Sequence, residues 1–204
     1  MIYKSSEAWE DDVRRALREG KLVIYPTDTV YGMGGDATLR QAVEATNRAK
    51  GEREMKPYPV LTYSREKAFE VGVFNDMAIT VAKKYWPGAV TIVVPRRDER
   101  LRDATFGSLT IGLRVPADPI ARRVAELSPS GFIIGTSANR SGASAPSSVE
   151  EVDPGVLREA EVTIDGGRRS VLPSTVVSIG DDGLRVVREG AIKTGEIKRL
   201  LGLE

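Results

Sequence analysis

The sequence predicts a single α/β domain with a mixed, twisted sheet and helices packed on it. Three observations point there. Short runs rich in Val and Ile are interspersed with amphipathic stretches, without the strict strand–helix–strand repeat of a purely parallel sheet. The 204 residues are enough for one sizeable core. No linker-like stretch and no internal repeat divides them, so residues 1–204 read as one unit.

The elements follow in order. Residues 7–19 are predicted helical, with Trp9, Val13, Ala16 and Leu17 on one face and Gly20 suited to the C-terminal cap. Residues 21–25 form an apolar strand that Pro26 ends, because proline cannot donate to a sheet ladder. A helix is expected over 39–49, a strand over 58–63, and helical stretches over 64–85 with Asn75 able to cap the second. Strands follow at 89–94 and 108–115. Asp118-Pro119 then opens a helix, with Asp as N-cap and Pro in the first turn. A strand at 132–135, a helix around 149–160, strands at 161–164, 174–179 and 184–188, and a helix at 196–201 complete the reading.

Composition narrows the chemistry. The chain contains no cysteine and no histidine, which excludes disulfides, thiolate metal sites, cysteine nucleophiles and any serine–histidine or cysteine–histidine machinery. Acid–base work falls to Asp, Glu, Lys, Tyr or water, and any metal to oxygen ligands. A net charge of +1 gives no global field for nucleic acid. No apolar run is long enough to span a membrane. The N-terminus lacks the charged-then-apolar order of a signal peptide, so a cytoplasmic protein is expected.

Five pieces carry candidate chemistry: the Thr27-Asp28-Thr29 loop, the basic loop with Lys50, Arg53 and Lys56, Thr110 with Arg114, the Ser137/Asn139 loop, and Ser174-Thr175 with Arg188. Except for the basic loop, each sits on or just after a predicted strand, where α/β sheets gather small-molecule sites. The first loop runs into Gly32-Met33-Gly34-Gly35, read as backbone that takes φ > 0 or lies close to a ligand; an ordinary turn is the competing reading. Cations, hydroxyls and small residues together suit a nucleotide's phosphates. There is no P-loop and no Gly-x-Gly-x-x-Gly motif.

With these residues in view, the sequence resembles the YrdC family, the L-threonylcarbamoyladenylate synthases. The matching motifs are Lys21 to Gly32 (KLVIYPTDTVYG), Thr136-Ser137-Ala138-Asn139 followed by Ser141-Gly142, Ser174-Thr175-Val176-Val177, Arg188-Glu189-Gly190-Ala191-Ile192, and Arg114-Val115-Pro116, in the family's order. One piece departs. The family's basic loop reads Lys-x-Arg; here Lys50, Lys56 and Pro57 fall where expected, but Glu52 holds the Arg position and Arg53 comes next. Either Arg53 turns inward in its place, or Glu52 faces the site and helps hold Mg²⁺.

The resemblance implies the formation of threonylcarbamoyl-AMP and pyrophosphate from L-threonine, bicarbonate or CO₂, and ATP, with Mg²⁺ on the phosphates and no resident metal. The product feeds a downstream tRNA threonylcarbamoyl transferase that modifies position 37 of tRNAs reading ANN codons. It further implies Lys50 and Arg53 as catalytic; Thr29, Arg114, Gly135 and Thr136 as threonine-binding; and Lys56, Thr110, Ser137, Asn139, Ser174 and Arg188 as nucleotide-binding. The extra C-terminal domain of longer relatives is not expected. Two rivals stand beside this reading: a module binding tRNA or double-stranded RNA without catalysis, and a carbamoyl-adenylate-forming domain of the hydrogenase-maturation type.

Overall fold

The computed structural model describes residues 1–51 and 56–203. Its strands are β1 (Ile2–Lys4), β2 (Leu22–Tyr25), β3 (Gly32–Gly34), β4 (Val60–Thr62), β5 (Val90–Pro95), β6 (Thr110–Arg114), β7 (Phe132–Ile134), β8 (Thr136–Ser137), β9 (Ala160–Asp165), β10 (Thr175–Gly180) and β11 (Gly183–Arg188). The helices are α1 (Glu10–Arg18), α2 (Arg40–Lys50), α3 (Arg65–Val71), α4 (Asp76–Tyr85), α5 (Pro119–Leu127), α6 (Pro154–Glu159) and α7 (Thr194–Leu200). Among the described residues no helix is long and apolar enough to cross a membrane.

The α/β class and the mixed strand directions agree with the sequence, but the strands form two sheets instead of one. The first runs β1-β9-β2-β3-β8 and the second β11-β10-β5-β6-β4-β7; both mix parallel and antiparallel pairs. The sheets meet where the chain passes from β7 to β8. Ile134 ends a strand of the second sheet, Thr136 begins one of the first, and Gly135 alone joins them. Its N–H donates to Pro59 O at 2.8 Å, and a Cβ there would lie 2.4 Å from Leu61 Cγ.

The glycine segment after Tyr31 is a strand, not a loop. Gly32, Gly34 and Gly35 are all absent from the positive-φ residues. They are small because protein packs against them. A Cβ on Gly34 would sit 2.0 Å from Ile134 O, and one on Gly32 would sit 2.9 Å from the Tyr25 ring. The expected close approach is therefore to β7 and β2. In contrast, Gly20 caps the end of α1 as expected, with φ +67°.

Capping signals in the sequence are realised. Asp118 Oδ1 accepts from the N–H groups of Ile120 and Ala121 at 2.8 and 3.2 Å, and Asn75 Oδ1 accepts from Ala78 N–H at 3.0 Å. The helix expected over 149–160 is instead a 3₁₀ turn (Val149–Glu151) followed by α6. Pro154 forces Asp153 out of helical conformation, and Asp153 then caps Gly155 and Val156. Helices α1 and α5 bury Val13, Ala16, Leu17 and Val124 against β2 and β9, while α4 buries Val81 and Ala82 against the second sheet. The crevice between the sheet ends is left for polar residues.

Candidate active site

Arg114 ends β6 and is 5% exposed. Three of its guanidinium donors are fixed: Nε to Gly88 O at 2.9 Å, Nη1 to Thr29 Oγ1 at 3.0 Å, and Nη2 to Asp28 Oδ1 at 2.7 Å. Asp28 also accepts from Ala117 N–H at 3.0 Å. Burial pulls Arg114 below its ordinary pKa, and the Asp28 carboxylate opposes this. A guanidinium carries five N–H groups, so two remain for a ligand among the described residues. Tyr25, beneath it, donates to Ile134 O at 2.8 Å; burial pushes its phenol up and the Arg114 charge pulls it down.

Arg188 reaches the same place from β11. Its Nη2 donates to Ser174 O at 2.9 Å, and Ser174 Oγ lies 2.9 Å from Thr91 Oγ1. Desolvation of the Arg188 guanidinium, and then the positive charge of Arg114, lower its pKa. The Ser-Thr-Val-Val segment divides its labour. Ser174 faces the cavity, whereas Thr175 Oγ1 accepts from Gly190 N–H at 2.9 Å and Ile192 N–H at 3.1 Å and donates to Ile192 O. Thr175 thus holds the segment just after Arg188 in place.

Lys50, the last residue of α2, is 7% exposed. Its ammonium donates to Ser137 O at 2.8 Å, Asn139 O at 3.0 Å and Asn139 Oδ1 at 3.2 Å. Asn139 Nδ2 in turn donates to Arg140 O and Ala143 O at 2.8 and 2.7 Å, which shapes the loop after β8.

These groups line two adjoining spaces. A cavity of about 140 Å³ is walled by Thr29, Arg114, Gly135, Thr136, Ser137, Ser174 and Arg188, with Val30, Leu61 and Pro173 as apolar surface. A wider cleft of about 560 Å³ is walled by Lys50, Lys56, Thr136, Asn139, Ser141 and Arg188, with Tyr58 behind. The two share Pro59, Thr136 and Arg188. Among the described residues no carboxylate lines either space. The small cavity suits one compact polar molecule, and the cleft suits an extended anion.

Nearly every residue singled out from sequence is therefore brought together. Thr110 is the exception. It is exposed at the start of β6, bonded to Ser108, on the face of Arg114 but about 13 Å along the strand, and lines neither space. Arg53 lies outside the described residues. Sequence reasoning missed Gly88 and Thr91. Gly88 acts through its carbonyl, which has no sequence signal, and Thr91 reads as one more strand residue. No group of three or more acidic residues placed to hold a metal occurs among the described residues.

Known proteins resemble this chain in sequence and in fold. The family model Sua5_yciO_yrdC, described as telomere recombination, matches residues 15–190. A threonylcarbamoyl-AMP synthase of Pyrococcus abyssi is 35% identical over 188 residues, covering 91% of this chain and 55% of the relative. A putative threonylcarbamoyl-AMP synthase of Methanocaldococcus jannaschii is 30% identical, covering 92% of this chain and 88% of the relative. The crystal structure of P. abyssi Sua5 complexed with L-threonine matches with a TM-score of 0.90 at 33% identity, over 99% of this chain and 61% of that one. The chain thus spans little more than half the length of its P. abyssi relative. Every residue lining the two spaces falls within the matched span, and the chain belongs to the Sua5/YciO/YrdC family.

Proposed function

We propose that residues 1–204 act as one threonylcarbamoyl-AMP synthase domain, a nucleotidyltransferase that converts L-threonine, bicarbonate and ATP into threonylcarbamoyl-AMP, pyrophosphate and water. The observation that carries this reading is the pairing of the two spaces. A small cavity with a buried guanidinium, three of its five N–H groups engaged, opens through Thr136 and Arg188 onto a cationic cleft free of carboxylates among the described residues. The names of the relatives, and the threonine in the P. abyssi Sua5 structure, support the same assignment.

The chemistry needs no covalent nucleophile, which fits a chain without cysteine or histidine. Threonine's carboxylate takes the two remaining N–H groups of Arg114. Its amine captures CO₂ as a carbamate, and a carbamate oxygen attacks the α-phosphorus while pyrophosphate leaves. The protein's part is positioning and charge stabilisation. Lys50 and Lys56, with Arg53 from the same stretch, neutralise the phosphates; Ser137, Asn139, Ser174 and Arg188 hold the nucleotide, and Gly135 and Thr136 line the amino acid. Mg²⁺ enters with ATP as part of the substrate. The product passes to a tRNA threonylcarbamoyl transferase in the cytoplasm.

Incubation with MgATP and bicarbonate, with and without each amino acid, tests this. Pyrophosphate release is expected only when threonine and bicarbonate are both present. Equal release without threonine would overturn the assignment.

A further inference from the structure

The chain on the two sides of residues 52–55 is tied together behind the cleft. Asn47 precedes Lys50 by three residues on α2, so both leave neighbouring positions of one helix face. Tyr58 follows Lys56 by two residues and is 2% exposed. Its hydroxyl donates to Asn47 Oδ1 at 2.8 Å. Its N–H donates to Ala104 O at 2.9 Å, and its ring lies 5.6 Å from that of Phe106. Phe106 has φ +49°, a left-handed conformation that a bulky residue keeps only where its surroundings enforce it. Asn47 and Phe106 line neither the cavity nor the cleft.

The other flank is held separately. Lys50 bonds the Ser137 and Asn139 carbonyls through its ammonium, and its own carbonyl accepts from Ser141 N–H at 2.9 Å. One flank is thus anchored to the loop after β8, and the other to α2 and the Ala104–Phe106 turn. Among the described residues, the Tyr58–Asn47 bond is a direct side-chain link between them.

We infer that Asn47 and Tyr58 are positioning residues: they form a clamp that holds the Lys56 flank at a set distance from Lys50, and so fix the spacing of two cations for a nucleoside triphosphate. This rests on the proposed assignment of the cleft to ATP. The physical basis is preorganisation. A lysine whose neighbouring backbone is already held loses less freedom when it binds phosphate. Coulomb attraction to a polyphosphate also depends on where each charge is held.

The test measures MgATP and L-threonine binding separately by calorimetry on wild type, Tyr58→Phe, Asn47→Ala and the double variant. Tyr58→Phe keeps the ring against Phe106 and loses only the hydroxyl. Asn47→Ala raises helix propensity, so melting of α2 would not account for a loss. MgATP affinity should fall about fivefold in each single variant, with the double no worse than either, because both remove one hydrogen bond. Threonine affinity should stay within about twofold, because neither Asn47 nor Tyr58 lines the small cavity. Unchanged MgATP affinity in Tyr58→Phe, or an equal loss for both ligands, would overturn the clamp. Turnover is not the readout. A wild type that binds MgATP but releases no threonine-dependent pyrophosphate would count against the proposed activity, while these affinities still decide the clamp.

Discussion

Thr27 Oγ1 lies 3.0 Å from Thr29 Oγ1, and their neighbours fix which one donates. Thr27 gives its only hydroxyl proton to Val30 O at 2.6 Å and accepts from Thr29 N–H at 3.1 Å. Thr29 must therefore donate to Thr27. Thr29 Oγ1 already accepts from Arg114 Nη1 at 3.0 Å, which leaves it one lone pair among the described residues. Toward the cavity Thr29 is an acceptor. It suits an ammonium or hydroxyl proton, while Arg114 suits a carboxylate.

Thr27→Val should expose this arrangement. It removes the acceptor for two groups of Thr29 and the donor to Val30, all in a buried loop. A loss of about 1–3 kcal/mol in stability is expected, with about a fivefold loss in threonine affinity. Thr27→Ser should keep both. Urea unfolding and titration with L-threonine check the pair, and wild-type threonine affinity in Thr27→Val would contradict the proton assignment.

Gly34 predicts a second effect, at the joint of the two sheets. An added Cβ would meet the Ile134 carbonyl oxygen at 2.0 Å and its carbon at 2.7 Å, and neither is a flexible side-chain end. Gly34→Ala should cost about 3 kcal/mol or more, since β3 or β7 must shift. Gly180→Ala is the control: nothing lies within 4 Å of its added Cβ, so a change within about 0.5 kcal/mol is expected. Similar unfolding midpoints for the two variants would refute the close-approach reading.

The same region marks where sequence reasoning stopped. Strand β2 was legible because its apolar run ends at a proline, and α5 because Asp118-Pro119 is a local start signal. Strands β3 and β8 consist of Gly-Met-Gly and Thr-Ser, which have no apolar alternation. Their extended state comes from pairing across the sheet, so the division of the strands into two sheets was not foreseen. Within the site, hydroxyls and cations were identifiable by type and position along predicted strands. Which one faces the cavity needs the register. Adjacent hydroxyls at 174 and 175 take a cavity wall and a structural tie, and Thr110, on the face of Arg114, ends far from it. The carbonyl of Gly88 leaves no trace in residue identity.

Acid should weaken the turn beside Tyr31. Asp165 accepts from Lys4 Nζ at 2.5 Å and Gly167 N–H at 2.9 Å, and Tyr31 donates to Gly167 O at 2.7 Å. The bond from Lys4, then that from the Gly167 N–H, holds the Asp165 carboxyl below its usual range. A folded pKa below the unfolded value of about 3.9 means that the stabilisation is present above that pH and fades as pH falls through the folded value. Asp165→Asn keeps an acceptor for Gly167 and loses the charge. Its urea midpoint should lie below wild type at pH 7 and converge with it below about pH 4. Lys4 is exposed, so high salt should also shrink the difference. A constant gap from pH 7 to strong acid would contradict this.

Arg114 yields the sharpest functional prediction because its three contacts point in three directions. Gly88 O, Thr29 Oγ1 and Asp28 Oδ1 fix the plane of the guanidinium and leave two N–H groups for a carboxylate. A lysine supplies one compact charge and cannot reproduce that fork. Arg114→Ala and Arg114→Lys should both lose about 1.5–3 kcal/mol of threonine binding, roughly ten- to a hundredfold. MgATP affinity should fall less, because Lys50, Lys56 and Arg188 line the cleft without Arg114. Asp28→Asn separates charge from geometry. It keeps an acceptor for Nη2 but removes the opposing carboxylate, so threonine affinity should fall less than in Arg114→Ala. Calorimetric titration of each ligand into each variant distinguishes these outcomes. Wild-type threonine affinity in Arg114→Lys would mean that a bare positive charge is enough and that the fork has no role.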